Sequence, residues 1–76
     1  MKIKMPEFSA RLKELRKEKG LKQTEMAELL GCRSNHYQRI EYGQINIPSL
    51  TLKFLADYFE VSTDYLLGRS DDRRTL

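Results

Sequence analysis

Apolar positions along this chain fall into short helical registers separated by glycines. Phe8, Leu12 and Leu15 stand at i, i+4 and i+7, with Arg11, Lys13, Glu14 and Lys17 elsewhere on the wheel, a spacing that predicts an amphipathic helix. Pro6 suits its first turn and Gly20 the left-handed residue that ends it, so this helix is expected over roughly 6–19. Met26, Ala27 and Leu30 mark a second, shorter helix over 23–30, closed by Gly31. Over 34–42, Tyr37, Ile40 and Glu41 share one side and Ser34, Asn35, Gln38 and Tyr42 another, until Gly43 stops the pattern. A loop carrying Asn46 and Pro48 follows. Ser49 can then cap a helix whose apolar face is Leu52, Leu55, Tyr58 and Phe59, and Ser62 can cap a last short one holding Tyr65 and Leu66. The pattern predicts an all-α fold of five helices without strands.

Seventy-six residues suffice for one small domain. Residues 6–68 carry the periodic segments, and 69–76, which lack periodicity, are expected to form a flexible, frayed tail. A single cysteine, Cys32, excludes an intrachain disulfide, and one histidine excludes a Cys/His zinc site made by this chain alone. Apolar runs reach only three residues, so no membrane span is expected; Lys2 and Lys4 are not followed by the apolar stretch of a signal peptide. Cytoplasmic residence is the expectation. The net charge is +3, but residues 1–40 hold ten Lys/Arg against five Glu, while 41–68 hold Lys53 against Glu41, Asp57, Glu60 and Asp64. A basic front half suits a polyanion such as nucleic acid.

Ala27 lies four residues before Gly31, a small residue for a close helix crossing next to a turn residue that tolerates positive φ. That spacing alone fits any helical hairpin. Together with Leu21, Gln23, Leu30-Gly31, Arg39-Ile40-Glu41, Gly43, Pro48-Ser49-Leu50, Leu55-Ala56 and the run from Val61 to Gly68, it resembles the phage-repressor type of helix-turn-helix domain, the XRE or Cro/repressor family, over about residues 8–68.

The resemblance implies that 23–31 form a positioning helix and turn and that 34–42 form a recognition helix lying in the DNA major groove. Ser34, Asn35, Gln38 and Arg39 match the base-contacting positions, and Asn, Gln and Arg are side chains that can make bidentate pairs with base edges. Gln23 matches a phosphate-contacting glutamine at a helix N-terminus. Arg33 and His36 are further candidates for phosphate contact, as are Tyr42, Gln44 and Asn46 in a loop that lacks Lys and Arg. Glu41 faces inward and needs a cationic partner, which the family supplies from a position matching Arg16. Three positions depart from the pattern. Lys22 and Arg33 stand where relatives cap with Ser or Thr, so Thr24 or Ser34 would have to cap later, and Tyr37 replaces an aliphatic residue, so its ring is expected to reach an edge where the hydroxyl finds water or phosphate. Cys32 and His36 are four apart, but two ligands cannot close a metal site.

The sequence therefore reads as a sequence-specific DNA-binding transcriptional regulator, a repressor of a prophage or mobile element. The alternatives are a DNA-binding antitoxin, which usually carries a toxin-binding segment longer than the eight residues after Gly68, and a protein-interaction module on the same fold. No nucleophile–base pair, phosphate loop or carboxylate pair points to an enzyme. No cofactor, metal or small-molecule ligand is expected. The expected partners are double-stranded DNA with a palindromic operator and a second copy of the chain, which the small apolar patch of Tyr65, Leu66 and Leu67 would join chiefly on DNA.

Overall fold

The computed structural model describes residues 6–74. Five helices follow one another among these residues: α1 (Pro6–Glu18), α2 (Gln23–Leu30), α3 (Ser34–Glu41), α4 (Ser49–Phe59) and α5 (Thr63–Leu66). No strand occurs among the described residues. Phe8, Leu12 and Leu15 turn the apolar stripe of α1 inward against Met26 and Ala27 of α2, Tyr37 and Ile40 of α3, Leu55, Ala56 and Phe59 of α4, and Tyr65 and Leu66 of α5. One core thus takes a face from every helix.

The α2–α3 corner is built at Gly31. Its φ of +70° is a left-handed conformation, and the turn it makes lets Cys32 N–H donate to the Ala27 carbonyl at 2.9 Å, closing the end of α2. A Cβ there would meet nothing within 4 Å, so the backbone angle alone favours glycine. Gly43, which ends the turn after α3, is constrained twice: its φ is +75°, and a Cβ would stand 2.8 Å from Ser9 Oγ on α1. At the end of α4 the same left-handed turn is made by Glu60, at φ +56°, without glycine's freedom.

Helix starts differ in part from expectation. Ser62 caps α5, its Oγ accepting from Tyr65 N–H at 2.9 Å. Ser49, however, is already the first helical residue of α4, and Pro48 holds the cap position in an extended conformation, with no side-chain cap. Lys22 and Arg33 are themselves the caps of α2 and α3, so neither Thr24 nor Ser34 takes that role. At α2 the Glu25 carboxylate accepts from the Lys22 N–H at 2.9 Å, the reciprocal half of a capping box without the half that a Lys side chain has no acceptor to make. Tyr42 terminates α3 instead of belonging to it.

Two larger corrections concern the end of the chain. Tyr65 and Leu66, expected to face a second copy, are committed to this chain's own core, with Leu66 fully buried. Helices α1 and α4 pack closely on α5 and absorb them, and of the trio only Leu67 stays half-exposed. The expected frayed tail is, over 69–74, tied back onto α1. Arg11 donates to the carbonyls of Tyr65 and Ser70 and pairs with Asp71 at 2.7 Å, while Arg73 pairs with Glu18 at 2.8 Å. The Ser62 N–H donates to the Arg73 carbonyl at 2.8 Å. Both guanidiniums lie over the Tyr65 ring, Arg11 at 4.2 Å and Arg73 at 5.2 Å from its centroid. Residues 75 and 76 of the expected tail lie outside the described residues.

Candidate nucleic-acid interface

Helix α3 is divided lengthwise. Tyr37, Ile40 and Glu41 are buried, Ser34 and Gln38 are half-buried along the flank beside α2, and Asn35, His36 and Arg39 project from the surface. Arg33, at the cap, is exposed as well. None of the side chains of Arg33, Ser34, Asn35, His36 and Arg39 hydrogen-bonds or ion-pairs with another described residue. By contrast, Arg11, Arg16, Lys53, Arg73 and Arg74 all have carboxylate partners. Solvated donors and cations are thus left uncommitted on this face. Past α3, Tyr42, Gln44 and Asn46 are also exposed and carry free side chains, extending the same polar surface into the 43–48 loop.

Beneath the face lies a buried ion pair. Arg16 Nε donates to Glu41 Oε2 at 2.8 Å and Arg16 Nη2 to Glu41 Oε1 at 3.0 Å, a two-pronged contact across 25 residues of sequence that ties α1 to α3. The Glu41 side chain is fully buried and that of Arg16 nearly so. Burial by itself pushes the Glu41 carboxyl up, but Arg16 foremost, then the nearby Tyr37 hydroxyl and the hydrogen bond from Gln23, outweigh it and hold the group below its usual range. The same contact with Glu41 raises the Arg16 guanidinium. Arg16 Nη1 also donates to the Leu21 carbonyl at 2.7 Å, fixing the α1–α2 connection.

Gln23, expected to reach a phosphate, is turned toward this pair. Its Nε2 donates to Glu41 Oε1 at 3.2 Å, and its Oε1 accepts from Gln38 Nε2 at 3.2 Å. A hydrogen-bonded chain therefore runs from Arg16 through Glu41 and Gln23 to Gln38 on the flank of α3. Nothing in the spacing of these residues announces it, because side chains 15 and 18 positions apart meet only once the helices have crossed.

Tyr37 departs most from its sequence reading. It is fully buried, and its hydroxyl has no hydrogen-bond partner, although it lies within electrostatic reach of Glu41 and Arg16. Burial raises the phenol's pKa far above its ordinary value, with the neighbouring carboxylate adding to the shift, so the ring is neutral at any working pH. The Tyr37 ring shares the core with Met26 and the small Ala27 of α2 instead of reaching an edge. Among the described residues no group of His, Cys, Asp and Glu could hold a metal ion, and no helix is long and apolar enough to cross a membrane.

Two short helices joined through the left-handed turn at Gly31, the second presenting an outward polar face, define a helix-turn-helix unit. Residues 12–66 match the helix-turn-helix family model, and the chain belongs to that family, in its XRE-type branch. It is similar to three regulators of Bacillus subtilis strain 168. It is 40% identical to the SPbeta prophage-derived uncharacterized HTH-type transcriptional regulator YonR over 79% of this chain and 56% of that protein. It is 39% identical to the HTH-type transcriptional regulator ImmR over 80% of this chain and 48% of the relative, and 42% identical to the HTH-type transcriptional regulator AnsR over 86% and 56%. The chain spans about half the length of the curated relatives it matches. No solved structure matches it.

Proposed function

We propose that this chain is a sequence-specific DNA-binding transcriptional regulator, a repressor of a prophage or mobile element acting in the cytoplasm. The observation that carries the reading is the uncommitted face of α3, where Asn35, His36, Arg39 and the adjoining Arg33 stand exposed without partners on a helix anchored from behind by Arg16 and Glu41. Ser34, Asn35, Gln38 and Arg39 read base edges in the major groove. The DNA backbone is held by Arg33 and His36 on one side and by Tyr42, Gln44 and Asn46 on the other, with Gln23 contributing through its remaining N–H beside the free backbone amides of the α2 N-terminus. Kinship with a regulator named as prophage-derived supports the genetic setting.

One recognition helix with few cations gives modest affinity, so two copies act on a palindromic operator with half-sites about 34 Å apart. With Tyr65 and Leu66 consumed by the core, the pairing surface draws on Leu67. Selection from random duplex DNA tests the reading. The expected result is a palindromic consensus bound more weakly as salt rises; recovery of unenriched sequences with no duplex binding at low salt would overturn it.

A further inference from the structure

We infer that the buried Arg16–Glu41 pair fixes, through Gln23, which end of the Gln38 amide is offered to a base edge, making Gln23 and Glu41 specificity-determining positioning residues. The inference rests on the proposed reading of DNA by α3. Its warrant is the direction of the hydrogen bonds. An ionised carboxylate can only accept, and Arg16 already donates to both oxygens of Glu41, so Gln23 must turn its NH2 end toward Oε1. That choice leaves the Gln23 carbonyl oxygen facing Gln38, which in turn must present its own NH2. The free end of Gln38 is then its carbonyl oxygen, with one N–H left over on the nitrogen that Gln23 holds.

An amide in free solution rotates to suit either a donor or an acceptor on a base. Here reversal would set the Gln38 carbonyl oxygen against that of Gln23, or set the Gln23 oxygen against the Glu41 carboxylate. The charge that forbids this is buried and held ionised by its bidentate partner. A base edge opposite Gln38 therefore meets a fixed carbonyl oxygen with one N–H beside it, a pattern that adenine matches with its N6 amine and N7, whereas an edge that offers only acceptors leaves that oxygen unpaired. The half-buried setting of Gln38 on the α2 flank keeps its amide within reach of Gln23, whereas Asn35 and Arg39 are exposed and without partners among the described residues.

Selection from random duplex DNA with four forms of the full chain tests this. Gln38→Ala identifies the base pair that Gln38 reads, as the one position whose preference it erases. The wild type should favour an amine-bearing base there by ~10-fold or more, within the range of a good base contact. Gln23→Ala keeps the Arg16–Glu41 pair and frees the Gln38 amide to rotate, so that preference should fall to within about twofold while the other positions keep theirs. Glu41→Gln, which can donate as well as accept, should relax the same position, with thermal melts confirming a folded protein. Loss of a merely structural contact would weaken all sequences alike. An amine preference that survives Gln23→Ala, or a consensus that Gln38→Ala leaves untouched, would overturn the inference and spare the DNA-binding reading. A wild type that selects no sequence would overturn both.

Discussion

Replacing Glu41 with alanine leaves the Arg16 guanidinium nearly buried and facing only the Leu21 carbonyl, and replacing Arg16 leaves a fully buried carboxylate with only Gln23 to donate to it. Either change should cost about 3–5 kcal/mol of stability, and a double-mutant cycle should return strong coupling, because the second removal relieves the orphaned charge. Additive losses would contradict a shared pair. The carboxyl's lowered pKa makes the same contact acid-sensitive. Its folded value lies below its unfolded one, so its stabilisation is complete above the ordinary carboxylate range, around pH 4 and upward, and is lost as pH falls through the folded value. Thermal melts between about pH 2 and 6 should fall less steeply with acid for Glu41→Gln than for the wild type. Tyr37 gives the opposite expectation. Its hydroxyl is buried without a partner, so Tyr37→Phe should melt no lower than the wild type and gain up to about 1 kcal/mol. A clear loss on melting would mean that the hydroxyl is bonded.

Among the helices, what repeats along the chain was legible and what joins distant segments was not. The presence and order of α1 to α4 follow from apolar spacing, with glycines marking the ends of α1 to α3 to within a residue or two, since a helix that buries one face must repeat its apolar residues every three to four positions; the cap of α4 at Pro48 and its end at Glu60 do not. The Tyr65–Leu66 pair shows where such reasoning stops: the spacing marks them as apolar, but whether this chain or a second one covers them depends on how α1 and α4 pack around α5. Residues 69–74 have no period because they form no helix, and their anchors are an arginine on α1, an arginine of their own and backbone carbonyls, none of which makes a pattern in sequence. Among the site residues, polarity marks Asn35 on the outward side of α3 but also Ser34 and Gln38, which lie half-buried on the α2 flank, and Arg39 is reached only through the resemblance; the turn of Gln23 toward Glu41 and Gln38 requires the crossing itself. Ending the chain at Gly68 should strip the cover from Tyr65 and free Arg11, lowering the melting temperature by about 4–8 °C, the equivalent of ~1 kcal/mol in a domain of this size. A melt unchanged by the truncation would contradict a structural role for the strap.

Taken as one body, the domain uses its arginines in two ways. Arg11, Arg16 and Arg73 tie α1 to α3 and to the returning strap through ion pairs, while Arg33 and Arg39, exposed and unpaired among the described residues like Lys13 and Lys17 on α1, stand beside the polar side chains of α3. A net charge of +3 spread evenly would attract any polyanion weakly; free cations beside Asn35 and Gln38 on one rigid helix add side chains able to discriminate between bases. Reading of DNA by this helix is tested most directly by measuring the affinity of wild type and Arg39→Ala for the selected duplex and for a scrambled one at a fixed salt concentration. Arg39→Ala should lose about 1–3 kcal/mol on the selected duplex and much less on the scrambled one, with an unchanged melting temperature. Equal affinities of the two proteins for the selected duplex, or equal losses on both duplexes, would contradict sequence reading by Arg39 on α3.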